Sequence, residues 1–325
     1  MHAPEFWRTD NVLARFLEPF GQIVGAVTSR RVARAKPLRV DVPVICVGNL
    51  SVGGTGKTPV AASIATHLRS RGKSPAILMR GYGGRLKGPV RVDDFVHTVE
   101  DVGDEALLHA MTTPVWVARN RALGALEAIK GGADVLIMDD GHQHTTLAKD
   151  LSLVVVDGHA GFGNGRITPA GPLREPAESG LARADAVILM GPDPHRLEDG
   201  LAKHAPVLRA HLAPGPEWRH LQGRKVVGFA GIGEPEKFFH TLNAAGARVV
   251  AFHPYSDHYG YERDDIQTIL DEAFSLDALP VTTRKDAVRL SPDQRQQVNV
   301  LSVDVEWENQ TELDGLLDAA LKGSA

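Results

Sequence analysis

A glycine-rich run, GNLSVGGTGKTPV at residues 48–60, constrains this chain more than any other feature. The segment before it, VPVICV (42–47), is a continuous apolar stretch of the kind that a strand buried on both faces requires. Behind it, Pro59 suits the first turn of a helix, and Val60, Ile64 and Leu68 fall on one face of that helix. Strand, glycine loop and helix in that order make a phosphate cradle. Backbone N–H groups converge, the helix N-terminus adds positive potential, a lysine reaches the β and γ phosphates, and a hydroxyl holds Mg²⁺. The expected cradle runs through Ser51, Gly53, Gly54, Thr55, Gly56, Lys57 and Thr58. Ser51 stands where the pattern GxxxxGK[ST] has its first glycine, and its side chain is able to open a tight turn instead.

The rest of the chain alternates in the same way. Apolar stretches PAILM (75–79), VWVA (115–118), DVLIMDD (134–140), LSLVVVD (151–157) and AVILMG (186–191) are separated by helical patterns such as NRALGALEAI (120–129). This predicts a P-loop NTPase-like α/β fold, a parallel sheet with helices on both faces and ligands at the carboxyl ends of its strands. At 325 residues the chain suits two lobes of ~150 residues each. A second α/β unit starts near Arg224, with strands KVVGFAG, RVVAFHPY, LPVTT and VNVLSVDV and a closing helix over 311–321. The expected division is an amphipathic helix in residues 1–40, a kinase core in 41–210 and a smaller α/β lobe in 211–325. Residues 206–223, with Pro214, Pro216 and Trp218, read as the connection.

Between Phe6 and Arg34, Leu13, Phe16, Leu17, Phe20, Val24 and Val27 recur at helical spacing, and Arg30, Arg31, Arg34 and Lys36 follow. Arg15, Glu18 and Pro19 interrupt the run, so it falls short of the ~20 uncharged residues of a spanning helix. Such a helix either lies on a membrane surface or docks on the protein's own core. The formal net charge of −4 gives no global attraction to nucleic acid, and no nucleic-acid partner is expected. Cys46, the only cysteine, lies inside the first apolar strand and reads as a buried, inert thiol.

An apolar strand ending in Asp139 and Asp140 is what a P-loop protein uses to complete a magnesium site opposite the loop hydroxyl, here Thr58. Paired aspartates also cap turns, so the spacing leaves both roles open. No guanine-reading NKxD occurs, which favours ATP as the nucleotide. A second lobe and an amphipathic helix suit a large or greasy phosphate acceptor, and so a kinase over a hydrolytic switch.

Several motifs, in order along the chain, resemble those of the tetraacyldisaccharide 4′-kinase family of lipid A biosynthesis. They are GNLSVGGTGKTP, RGYGG (80–84), VGDEALL (102–108), DDGHQH (139–144), PAGPLREP (169–176), FAGIGEPEKFF (229–239), SDHYGY (256–261) and TTRKD (282–286). Serine at the first loop position is also that family's form. His142 stands where the family usually has Phe, and Ser256 where it often has Pro. The resemblance implies ATP and Mg²⁺ as cofactors and transfer of the γ-phosphate to the 4′-hydroxyl of an acylated disaccharide 1-phosphate lipid. It also implies a place on the cytoplasmic face of the bacterial inner membrane, peripheral or monotopic, reached through the N-terminal helix. Lys57 and Thr58 match the phosphate lysine and the metal ligand, and Asp139, Asp140 and Glu175 the acids around the metal. Asp104 matches the catalytic aspartate and His258 its histidine partner.

A sugar hydroxyl is a poor nucleophile at neutral pH, so a carboxylate base at Asp104 makes chemical sense. By local sequence, though, Asp104 in GDE reads as a helix cap and His258 as a surface histidine. They fall on different expected lobes, which have to meet for the pair to form. Arg80, Arg121 and Arg174 are candidates for phosphate oxygens, of ATP or of the lipid, because the guanidinium fork matches their geometry. His142 and His144 alternate on one loop and are not expected to make a metal site. A P-loop kinase for another sugar or membrane acceptor, or a nucleotide-switched membrane adaptor that needs no base at Asp104, remains the alternative.

Overall fold

The computed structural model describes residues 4–323. Its first eight strands are β1 (Val44–Gly48), β2 (Pro75–Met79), β3 (Val90–Arg91), β4 (Val115–Val117), β5 (Val135–Asp139), β6 (Leu151–Asp157), β7 (Ala186–Met190) and β8 (Val207–Pro214). Then follow β9 (Lys225–Ala230), β10 (Arg248–Pro254), β11 (Leu279–Thr283), β12 (Asn299–Leu301) and β13 (Val303–Trp307). The larger sheet has the order β13, β8, β7, β6, β1, β5, β2, β4, β3, and only its two outermost pairings, β13 with β8 and β3 with β4, are antiparallel. The smaller sheet, β10, β9, β11, β12, is parallel throughout.

Every residue of β1, β2, β5, β6 and β7 is buried, as the unbroken apolar runs predict for strands covered on both faces. The two-residue period sends Ile45 and Val47 into the core under the P-loop helix (Lys57–Ser70), and Val44 and Cys46 into the core under helix Arg121–Lys130. Val60, Ile64 and Leu68 are fully buried, and burial of each stabilises the fold by roughly 1.5–3 kcal/mol. Because β1 lies between β5 and β6, the loop leaving β1 sits at the centre of the sheet's carboxyl edge. Val47 is in register with Asp139, so the acidic strand end lies directly beside it.

Three features depart from the sequence reading. The expected connection at 206–223 contains β8, an eight-residue strand of the larger sheet. VNVLSVDV is two strands, divided at Ser302 between the two sheets. The expected boundary at 211 therefore falls inside β8, and β13 with the last helix (Gln310–Lys322) returns to the larger sheet. The two crossings lie side by side: the Gly215 N–H donates to Ser302 O at 2.8 Å, and the Ser302 hydroxyl to Glu217 Oε2 at 2.6 Å. The last helix buries Leu313, Leu317 and Ala320, and its Asp314 lies 2.5 Å from His67 of the P-loop helix.

The N-terminal helix (Val12–Ala33) starts at Asn11, whose side chain accepts from the Ala14 N–H at 2.9 Å. Ala14, Gly21 and Gly25 form its buried stripe. A Cβ on Gly21 would lie 2.5 Å from the Ile167 carbonyl oxygen, so only glycine allows this approach. Glu18 and Asp10 pair with Arg166 beside it. The helix thus docks through its small residues and leaves Phe16, Phe20, Ile23 and Val27 more than half exposed. No helix of the described residues is long and apolar enough to cross a membrane.

Candidate active site

The loop after β1 owes its shape to a few backbone states. Gly53 (φ 127°) and Gly56 (φ 91°) occupy the left-handed region, and Gly56 caps the helix that begins at Lys57. Ser51 needs no such freedom. It forms an isolated bridge with Leu173, and the Val52 N–H donates to Pro172 O at 2.7 Å. An extended position does not demand glycine, which explains the serine. Below the loop, Asn49 Nδ2 donates to Thr55 Oγ1 at 3.1 Å, and Gln143 Nε2 donates to Asn49 O and Glu175 Oε1. Gly54 has open space around its Cβ position, leaving room for a ligand to approach the backbone.

At the end of β5 the acids have separate surroundings. Asp140, at φ 54°, lies 3.9 Å from Lys57 Nζ and accepts from Arg174 Nη1 at 2.7 Å. Burial would raise its pKa, but Lys57 and Arg174 outweigh burial and lower it. Asp139 is buried behind it, with Oδ2 2.9 Å from His109 Nε2, while its Oδ1 is buried without a hydrogen-bond partner. Glu175 is fully buried, and both its oxygens accept from Arg183 Nη2 at 2.8 Å. Among the described residues no three acidic, histidine or cysteine side chains converge on a metal position. Glu175, expected with Asp139 and Asp140 around one ion, is held by Arg183 and Gln143 behind the loop.

The three arginines also divide. Arg174 sits on Asp140. Arg80 is exposed and has no ion-pair partner among the described residues. Arg121 is buried, donates to Ala118 O at 2.6 Å, and keeps a buried Nε without a partner. Burial and the neighbouring Arg80 bring its pKa down to about 10. His142 packs inside, between Ser152 Oγ and the Gly180 carbonyl, and burial brings it down to about 4, so it is neutral at pH 7.

On the other side of the loop, Asp104 opens a short helix (Asp104–Ala110) after Gly103, at φ 88°, where a Cβ would lie 2.2 Å from Tyr82 O. The RGYGG and GDE motifs are thereby packed against each other. Asp104 Oδ2 lies 2.8 Å from His258 Nδ1, across 154 residues of sequence. The same oxygen accepts from Arg289 Nε at 3.0 Å and from its Nη2. Burial alone would raise the Asp104 pKa, but His258, Lys285 and Arg289 together hold it well below the usual carboxylate range. A cleft of about 380 Å³ opens beside this junction, lined by Tyr82, Gly83, Gly103, Asp104, His258 and Arg289. The structure thus brings Asp104 to His258, and Lys57 to Asp140 and Arg174. Sequence reasoning missed His109 and Arg289, and no local signal marks either of them.

A family model described as tetraacyldisaccharide-1-P 4′-kinase matches residues 13–322. The chain is similar to the tetraacyldisaccharide 4′-kinase of Rhodospirillum rubrum, with 58% identity over 99% of each chain. It is also similar to that of Paramagnetospirillum magneticum, with 52% identity over 98% of each. Among solved structures it is similar to a crystal structure of "apo" form LpxK from Aquifex aeolicus in complex with ATP. The TM-score is 0.75 at 28% identity, covering 95% of this chain and 100% of that one.

Proposed function

This chain belongs to the tetraacyldisaccharide-1-phosphate 4′-kinase family, and from that premise we propose which of its residues carry the reaction. The protein is an ATP-dependent kinase of lipid A biosynthesis that phosphorylates the 4′-hydroxyl of a tetraacyldisaccharide 1-phosphate. The loop amides of Gly53 to Thr58 and the Lys57 ammonium hold the β and γ phosphates. Arg174, Arg80 and Arg121 supply further positive charge toward phosphate oxygens. Asp104 accepts the proton of the acceptor hydroxyl as its oxygen bonds to the γ-phosphorus. The bond from that phosphorus to the β–γ bridging oxygen breaks, and ADP leaves. His258 orients Asp104.

The donors fit Mg²⁺. The Thr58 hydroxyl and the carboxylates of Asp139 and Asp140 are hard oxygens, and the unpartnered Asp139 Oδ1 is a buried acceptor with nothing to accept from. Magnesium usually takes one or two carboxylates plus phosphate oxygens and water, so three converging acids are not needed. When bound, the ion neutralises charge on the phosphate oxygens. The exposed face Phe16, Phe20, Ile23 and Val27, ending in Arg30, Arg31 and Arg34, suits an anionic membrane surface. We place the protein there, on the cytoplasmic face of the inner membrane, where its lipid acceptor is presented.

The observation that carries the residue roles is the direct contact of Asp104 with His258 beside an open cleft. The test is ADP release with purified acceptor together with the mass of the product. Release in proportion to acceptor, with one phosphoryl group gained at the 4′ position, is expected. ADP release that ignores the acceptor would instead mark a nucleotide switch.

A further inference from the structure

Arg289 is absent from every motif that pointed to the site, yet it makes the closest-knit contact in it. Its side chain is 4% exposed and that of Asp104 is 5% exposed, whereas His258 is 41% exposed. Charges that are both withdrawn from water interact more strongly and are screened less than an exposed pair. Arg289 is also held from behind. Its Nη1 donates to the Gly231 carbonyl at 2.7 Å and to Asp286 Oδ1 at 3.0 Å. Asp286 is itself fully buried, and it accepts from the Gly231 N–H (2.9 Å), the Tyr261 hydroxyl (2.9 Å) and the Thr283 hydroxyl (2.6 Å). The His258 N–H donates to the same Gly231 carbonyl at 3.1 Å. The FAGIGEP, SDHYGY and TTRKD segments, with Arg289 just beyond the last, thus form one polar platform, from which His258 and Arg289 both reach Asp104 Oδ2.

The donor count on Asp104 is unequal. Oδ2 receives His258 Nδ1 and two nitrogens of Arg289, and Oδ1 receives only the Glu105 N–H at 2.9 Å. A carboxylate oxygen has two lone pairs, so Oδ2 is saturated and Oδ1 keeps one free. We propose that Arg289 is a positioning residue for the phosphoryl transfer: anchored on Asp286 and Gly231, it pins Asp104 Oδ2 so that Oδ1 is the oxygen that takes the acceptor's proton. The inference rests on Asp104 as the base.

Arg289 also keeps that base ionised. The groups facing Asp104 are Glu105 on its own helix, His258 with Asp257 behind it, Lys285 and Arg289 from the segment after β11, and Tyr82 from the loop after β2. Asp104 has a depressed pKa, so its carboxylate form persists as pH falls and is lost only below that pKa. Without the Arg289 charge, burial is less opposed and the pKa rises, bringing the loss of base into the measurable range.

The test is the pH profile of kcat/KM in Arg289→Gln, Arg289→Lys and Asp104→Ala, with ATP binding and thermal unfolding as controls. Arg289→Gln is expected to shift the acid limb upward by about 1–3 pH units, an opposite charge being worth that much to a neighbouring carboxyl. Arg289→Lys keeps the charge and loses the fork. Its limb should stay near wild type while kcat falls. Added guanidinium should restore turnover to Arg289→Ala. If no acid limb enters the measurable range in folded Arg289→Gln, the inference is overturned, whether or not kcat falls. Should Arg289→Gln not fold, an unmoved limb in Arg289→Lys together with guanidinium rescue supports the inference, and a shifted limb or no rescue overturns it. Asp104→Ala with near-normal turnover would instead remove the base, a distinct failure.

Discussion

The phosphate loop and the Asp104 junction are neighbours, but they are held by different forces. The loop is contiguous, Ser51 to Thr58, and takes its shape from two left-handed glycines and a bridge to Leu173. Among the described residues its lysine has one carboxylate partner, at 3.9 Å. The junction draws Asp104, His258 and Arg289 from segments 154 and 185 residues apart and closes over an almost fully buried ion pair. A local backbone shape survives small movements of the smaller lobe, because its hydrogen bonds move with it. A cross-lobe ion pair does not: removing one partner leaves a buried charge uncompensated. Substitutions in the smaller lobe should therefore act on the proton-accepting side of the reaction and leave the nucleotide side intact.

Lys57→Ala gives the largest expected effect. It removes the charge proposed to hold the β and γ phosphates, and turnover should fall by roughly 10³–10⁵-fold with the melting curve unchanged. Near-normal turnover would break the comparison at its nucleotide end. Asp104→Ala comes next, at about 10²–10⁴-fold in kcat, with ATP affinity close to wild type. The double variant Asp104→Ala/His258→Ala should be little worse than Asp104→Ala alone, since residues acting as one unit lose function non-additively. Multiplying losses would mean that the junction is not a unit.

A further measurement separates both regions from substrate delivery. Phe16→Asp with Phe20→Asp should lower partitioning onto anionic vesicles by roughly tenfold or more. Turnover on detergent-dispersed acceptor should stay as in the parent, because the docked stripe of Ala14, Gly21 and Gly25 is untouched. Unchanged sedimentation with vesicles would assign that face another role.

The smallest effect is expected at a second cross-lobe pair, Lys237 Nζ with Asp157 Oδ2 at 2.6 Å. Lys237 is 43% exposed, so water screens the pair and its loss should cost less than about 1 kcal/mol. Lys237→Ala should leave kcat within about twofold. A loss as large as that of Asp104→Ala would show that lobe placement in general, and not the buried junction, controls the chemistry.

The cradle and the central strands were legible in the sequence because both are local. Positive φ at Gly53 and Gly56, the two-residue period of β1 and the helical spacing of Val60, Ile64 and Leu68 are written in adjacent residues. β8 was not legible. It alternates Leu208 and Ala210 inward with Arg209 and His211, ends in a proline, and so reads as a polar connection. Its status as a strand comes from β7 on one side and β13, ninety residues later, on the other.

What the sequence by itself determined is the set of parts: a phosphate loop, an acidic strand end, parallel α/β units and an amphipathic helix with a basic end. Its family motifs also named Asp104 and His258 as partners. Only the tertiary structure decided which charges meet. Nothing adjacent to Arg289 marks it for Asp104, nor His109 for Asp139, because a buried ion pair depends on where packing places two distant backbones. At the junction, packing of the smaller lobe against the helix that Asp104 opens brings His258 and Arg289 onto one carboxylate oxygen.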